Sequence, residues 1–227
     1  MSQSNIKLIT TSDGSHSLYH EELRETYHST HGALTESQHV FMQKGVEYLL
    51  SRGFNELRIL EVGFGTGLNA LLVYHLAKKR PDLSIHFQTL EPFPLASDLY
   101  QSLNYTEIFD SAVSREEFMK LHELPFGEQH TIIDNFTFTK EKVSLQDFRT
   151  EQSFNLVFYD AFAPNKQSEM WELDVLGQAV KYMETAGVLT TYCAQVQFKR
   201  NLIALGFQLE SLEGPPGKKE MVRATKS

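Results

Sequence analysis

The feature that most constrains this chain is the apolar run Leu57-Arg58-Ile59-Leu60-Glu61-Val62, which ends in Gly63-Phe64-Gly65-Thr66-Gly67 and passes at once into a helical pattern. In that pattern Leu68, Leu71, Leu72, His75 and Leu76 recur at i, i+3, i+4 spacing until Pro81 closes it. A strand, a glycine-rich turn and a helix in direct succession open a parallel α/β unit. The glycines let the backbone bend sharply and approach a ligand without Cβ clashes. The alternation continues along the chain. Ile85–Leu90 is a second strand ending in Glu91-Pro92, and helical stretches follow near Leu95–Leu103 and Ser114–His122. Phe136–Val143 alternates as a strand, and Phe154–Tyr159 is a buried strand ending in Asp160. Helix Trp171–Glu184, strand Val188–Cys193 and helix Gln195–Leu205 come next. Phe207–Leu212 and Glu220–Ala224 pair as a hairpin across Gly214-Pro215-Pro216-Gly217. Strands alternating with helices imply a Rossmann-like α/β fold, a mostly parallel sheet covered on both faces, with the C-terminal hairpin supplying an antiparallel edge. Ahead of this core, residues 1–35 read as a polar, His-rich lead-in, irregular or hairpin-like. Helix Ser37–Arg52 then opens a single domain spanning 36–227.

At 227 residues with 41% hydrophobic and 22% charged side chains, the chain has the composition of one large globular α/β domain. The formal net charge of −8 argues against a broad basic nucleic-acid face, although a local patch survives inside an acidic total. A single cysteine, Cys193, cannot form an internal disulfide and fits a reducing compartment and packing in the core. The polar start Met1–Thr10 lacks a signal-peptide core, and no apolar stretch reaches the roughly 18 residues of a membrane span. A cytoplasmic protein is expected. His16, His20, His28, His31 and His39 crowd the lead-in without metal-ligand spacing, so no metal is expected.

In open α/β sheets ligands bind beyond the carboxyl ends of the strands, so the acids Glu61, Glu91 and Asp160 matter together. A dinucleotide turn carries Gly-x-Gly-x-x-Gly; here the third glycine comes one residue early and Glu61 stands just before it. A carboxylate matches a phosphate poorly and a cationic ligand end well. Glu91 is placed to accept hydrogen bonds from two ribose hydroxyls. Together Glu61, Gly63, Gly65, Gly67 and Glu91 point to S-adenosylmethionine as the bound cofactor. Asp160, opening Asp160-Ala161-Phe162-Ala163-Pro164, is then the candidate catalytic group. An amine acceptor must be neutral to attack a sulfonium methyl, and a carboxylate accepts its proton or orients its lone pair. Phe162, Pro164 and Trp171 are candidates for an apolar wall or for stacking on a base. Lys166, Lys218 and Lys219, with Arg223 and Lys226, are candidate contacts to RNA phosphates.

On these residues the chain resembles the methyltransferase part of the MnmC family, which completes 5-methylaminomethyl-2-thiouridine at the tRNA wobble position. The matching blocks are Glu61-Val62-Gly63-Phe64-Gly65-Thr66-Gly67-Leu68-Asn69, Glu91-Pro92-Phe93-Pro94-Leu95, Asp160-Ala161-Phe162-Ala163-Pro164-Asn165-Lys166 with Met170-Trp171, and Gly217-Lys218-Lys219-Glu220-Met221. Gly32-Ala33-Leu34-Thr35-Glu36-Ser37 resembles the family's lead-in to the first helix. The resemblance implies an S-adenosylmethionine-dependent N-methyltransferase acting on the aminomethyl group of 5-aminomethyl-(2-thio)uridine, with the tRNA anticodon region as partner. It places Asp160 beside the acceptor amine and Asp147 on the adenine side, with Gln146 standing where a small residue is more usual. The chain has no room for the family's flavin-dependent oxidoreductase part and resembles a standalone form that depends on a separate enzyme for its aminomethyl precursor. A methyltransferase for a small-molecule or protein amine and a non-catalytic adenosyl-ligand-binding module are the competing readings, with an NAD-dependent dehydrogenase more distant.

Overall fold

The computed structural model describes residues 5–108 and 113–227; the first four residues of the lead-in lie outside them. Strands β1 (Ile6–Thr10), β2 (His16–His20) and β3 (Glu25–Thr26) form a small antiparallel sheet of their own, the hairpin form of the lead-in. Helix α1 (Ala33–Ser37) begins inside the segment read as lead-in and continues without a break through Gln38–Glu47 into α2 (Tyr48–Ser51). The middle stretch has the wider π spacing, where an ordinary α-helix was expected. Its buried residues pair up five apart, Val40 with Gly45 and Phe41 with Val46, the separation that i→i+5 hydrogen bonds bridge. Gly45 brings that face against the main sheet, with Thr190 and Leu156 side-chain atoms 3.3 and 3.4 Å from where its Cβ would stand.

The main domain runs β4 (Glu56–Val62), α3 (Leu68–Lys79), β5 (Ser84–Leu90), α4 (Ser97–Gln101), α5 (Tyr105–Ile108), α6 (Arg115–Glu123), β6 (Gln129–Ile133), β7 (Phe136–Glu141) and β8 (Phe154–Tyr159). It ends with α7 (Leu173–Lys181), β9 (Met183–Thr191), α8 (Val196–Ala204), β10 (Phe207–Glu213) and β11 (Glu220–Lys226). Ser114 caps α6 through a reciprocal box with Glu117, the local signal that starts that helix. The eight strands lie in the order β10-β11-β9-β8-β4-β5-β7-β6. The central pairs β9–β8, β8–β4, β4–β5 and β5–β7 are parallel. All six residues of β8 are buried, as a strand covered on both faces requires. An aromatic layer of Phe41, Phe87, Phe136, Phe138 and Phe158 fills one side of the sheet.

The C-terminal hairpin supplies the antiparallel edge, as the sequence suggests: β11 inserts between β9 and β10, and β10 is the edge. Burial explains the order, since β11 carries buried Met221, Val222 and Ala224 whereas β10 buries only Phe207. Strand β6, unrecognised in the sequence, is a half-buried edge without a clean alternation. No helix of the described residues is long and apolar enough to cross a membrane.

Candidate active site

The ends of β4, β5 and β8 lie side by side, and backbone hydrogen bonds carry the ladder one step past each strand. Gly63 N donates to Leu90 O at 3.0 Å, Asp160 N to Val62 O at 3.0 Å, and Glu91 N to Glu141 O at 2.9 Å. The glycine-rich turn and the acids Glu91 and Asp160 are thereby locked onto one sheet edge. Gly63 has φ +97, and a Cβ on it would stand 2.6 Å from the Asp160 carbonyl oxygen, so the turn closes onto the Asp160 loop only without a side chain. Gly65 donates its N–H to Glu91 Oε2 at 2.9 Å, and Phe93 N donates to Glu91 Oε1 at 2.8 Å. Glu91 thus fixes the turn and keeps acceptor capacity on both oxygens.

The electrostatics are lopsided. Glu61 is fully buried; its Oε2 accepts from the Thr89 hydroxyl at 2.6 Å, while its Oε1 has no hydrogen-bond partner. Burial, reinforced by the charges of Asp160 and Glu91, pushes its pKa well up. Burial also raises Glu91 against the two backbone donors that favour its charge. Asp160 rises to about 7, first through burial and then through Glu36, against the hydrogen bond from Asn69 Nδ2 at 2.9 Å and the Lys218 charge. Three carboxyl groups held in poor solvation at one sheet edge constitute a site short of positive charge.

A cavity of about 480 Å³ opens above this edge. Of the donor-binding, catalytic and acceptor-binding candidates read from the sequence, Gly63, Gly65, Glu91, Asp160, Phe162 and Lys218 line it. Glu61 does not reach the cavity surface. Gly67 serves as the left-handed N-cap of α3, packed against His122 and Phe64. Asp147 turns away, its carboxylate accepting from the Ser144 hydroxyl at 2.8 Å, while its neighbour Gln146 lines the cavity with Oε1 buried and unpartnered. Trp171 is core: it packs edge-on against Tyr159 and Phe198 and donates Nε1–H to Phe162 O at 2.8 Å, holding the Asp160 loop from behind. Pro164 and Lys166 are half-buried outside the lining, and Lys219 is exposed on the hairpin turn. Arg223 is held by Glu210 at 2.8 Å and Lys226 caps the Val180 and Met183 carbonyls, so neither is free for RNA.

The opposite wall comes from residues to which the sequence reading gives no role in the site. Tyr27 stacks edge-on to Phe162 with ring centres 5.0 Å apart. His28, neutral because burial lowers it to about 4, bonds Thr66 Oγ1 at 2.7 Å and steadies the glycine turn. Glu36, Met170 and Tyr192 complete the lining. Tyr192 follows the end of β9, so the strand-end rule reaches it; Tyr27 and His28 carry no local signal.

A family model described as S-adenosyl-L-methionine-dependent methyltransferase matches residues 116–227. The second half of the chain, from Glu116 onward, is similar to this methyltransferase family. It is 30% identical over 218 residues to the tRNA 5-methylaminomethyl-2-thiouridine biosynthesis bifunctional protein MnmC of Leptospira interrogans, covering 89% of this chain and 32% of that protein. An uncharacterized protein of Methanocaldococcus jannaschii is 27% identical over 97% of this chain and 59% of its own length. The chain thus spans about a third of the MnmC relative. The crystal structure of MNMC2 from Aquifex aeolicus superposes with a TM-score of 0.80 at 24% identity, covering 98% of this chain and 70% of that one, and shows the same fold. The donor that the matched family uses, S-adenosyl-L-methionine, carries a sulfonium and an ammonium. The cation-poor strand edge and the side-chain-free turn at Gly63 fit such a group, with Glu61 buried behind them.

Proposed function

We propose that this methyltransferase methylates the aminomethyl nitrogen of 5-aminomethyl-(2-thio)uridine at the wobble position of tRNA, on precursor supplied by a separate enzyme. The observation that carries the reading is Asp160: a strand-end carboxylate lining the same cavity as the glycine turn, with its proton affinity raised to about 7. Bound S-adenosylmethionine supplies an electrophilic methyl on a good leaving group. The chain's task is to deliver a neutral nitrogen in line and to exclude water. A primary alkyl amine holds its proton with a pKa of about 10.4 in water. Transfer to an ordinary carboxylate is strongly uphill; the rise of Asp160 from 3.8 to about 7 removes up to about 4 kcal/mol of that, less what partial exposure screens. Asp160 would take the proton that the ammonium gives up, leaving the nitrogen's electron pair free for the methyl that the donor would supply, with the C–S pair departing on sulfur. Phe162 and Tyr27 offer rings on which a splayed-out uracil stacks. Exposed Lys219 and half-buried Lys166 are the cations offered to phosphates of the anticodon region.

The test is purified protein with labelled donor and tRNA bearing 5-aminomethyluridine. One methyl on that nucleoside, read by mass spectrometry, is expected. Label on a free or protein amine with none on tRNA would replace the tRNA reading.

On the donor side, Gln146 rather than Asp147 takes the adenine. A carboxamide presents one donor and one acceptor, the complement of an adenine edge, and the Gln146 amide oxygen is buried without a partner. Gln146→Leu is expected to weaken S-adenosylhomocysteine binding by about tenfold, one good hydrogen bond's worth, with Asp147→Asn within about twofold. Calorimetry with the S-inosyl analogue checks it: wild type discriminates against the analogue and Gln146→Leu does not. The reverse ranking of the two variants would return the adenine to Asp147.

A further inference from the structure

The mouth of the cavity is crossed by a lysine that is held in an unusual setting. Lys218 sits in the turn between β10 and β11, its N–H bonded to Pro215 O at 2.9 Å. The turn is fixed from the other side by His39 Nε2 against Glu213 O at 2.8 Å and by the His31 ring packed on Gly217, whose Cβ would collide with it. From there Lys218 Nζ reaches inward to Glu36 Oε2 at 2.7 Å and lies 3.7 Å over the centre of the Tyr192 ring. Glu36 is only 5% exposed and also accepts from Ser29 N at 2.9 Å; Tyr192 is oriented by its own bond to Ala161 O at 2.7 Å. Glu36, Tyr192, Asp160 and Lys218 all line the one cavity.

A buried carboxylate beside an aromatic face, with a second carboxylate near by, is how a protein binds an alkylammonium. Here the chain's own alkylammonium fills the position. We propose that Lys218 Nζ occupies the seat of the acceptor's ammonium, that Glu36 and Tyr192 are the residues that bind the incoming aminomethyl group, and that Lys218 withdraws as it enters. The inference rests on the reading of the acceptor as an amine. Two ammonium groups repel at this range, and only one fits between Glu36 and the Tyr192 face. Lys218 has a way out: its side chain is 32% exposed and its four-carbon stem is flexible. Glu36 receives the amine in its protonated form and Asp160 then takes the proton, so recognition and activation fall to different carboxylates.

Benzylammonium, an aminomethyl group on a flat ring, is the probe, with benzyl alcohol as its neutral counterpart, both titrated into the protein saturated with S-adenosylhomocysteine. Lys218→Met and Lys218→Gln are expected to bind benzylammonium about tenfold more tightly than wild type, about 1.4 kcal/mol of relieved competition. Benzyl alcohol binding should stay unchanged. Adding Glu36→Gln should abolish the preference for the ammonium while S-adenosylhomocysteine still binds. If both Lys218 variants bind benzylammonium no better than wild type, the seat is not there. If they instead only raise the KM for tRNA, Lys218 is a phosphate contact and the inference is overturned with the tRNA reading intact. If benzylammonium binding tightens while tRNA goes unmethylated, the seat stands and the tRNA reading falls.

Discussion

Asp160→Asn is expected to lower the rate of methyl transfer by about 10²- to 10⁴-fold, the usual contribution of a positioned proton acceptor, while leaving donor affinity within a few-fold. The amide keeps an oxygen to accept from Asn69 but has no basic lone pair to offer the amine. The pH dependence separates this role from a structural one. Protonated Asp160 cannot accept a proton, so kcat/KM for the wild type falls about tenfold per pH unit on an acidic limb at or below about 7. The bound donor's sulfonium favours the carboxylate and moves the limb downward from that value. In Asp160→Asn the limb should vanish, and Asp160→Glu should restore part of the rate with a displaced limb. Stability moves the other way. A carboxyl whose folded pKa is raised contributes stability that is complete below its unfolded value near 3.8 and is lost as pH rises through about 7. At pH 8 the substitution should therefore stabilise the donor-free protein, by up to about 4 kcal/mol less solvent screening. A variant more stable yet far slower marks a charge kept for chemistry rather than for folding. An unchanged rate would remove Asp160 from the reaction.

The residues that were legible in the sequence are those whose role is set by local chain geometry. Leu57–Gly67 announces itself because the apolar period switches from strand to helix across three glycines, and Asp160 and Glu91 follow from standing at the ends of apolar runs. What could not be read depends on contacts between distant parts of the chain. Glu36 meets Lys218 across 182 residues, and nothing near either signals the other. Lys218 and Arg223 have the same local look, a cation near a hairpin turn, yet one enters the cavity and the other is buried against Glu210. Trp171 next to the Asp160 loop suggests a stacking surface, but its N–H is needed by Phe162 O and its ring by the α8 packing. The hairpin pattern gives two paired strands and is silent on which one β9 accepts; only relative burial settles that β11 goes inside.

Gly63→Ala should be the most damaging small substitution in the site, and the reason is that nothing around it can give way. Its φ of +97 lies where an L side chain is strained by roughly 1–2 kcal/mol. Its new methyl would also meet the Asp160 carbonyl oxygen at 2.6 Å and the carbonyl carbon at 3.3 Å. Those are backbone atoms, and both chains are pinned by the 3.0 Å bonds from Gly63 N to Leu90 O and from Asp160 N to Val62 O. Relief requires prising β4 from β8 at their ends, an overpacking cost of about 1–3 kcal/mol. The sum, about 2–5 kcal/mol, corresponds to a fall in Tm of roughly 5–20 °C for a domain of this size. Gly53→Ala is the matched control: its φ is +87, but nothing stands within 4 Å of the added carbon, so it carries the conformational cost alone. Thermal unfolding of the two variants side by side isolates the contact. If Gly63→Ala loses no more than Gly53→Ala, the turn and the Asp160 loop are not in the close apposition described. If it loses several degrees more, calorimetry should also show donor binding weakened well beyond tenfold, because the displaced strand ends are the ones that carry Asp160 and the glycine turn into the same cavity.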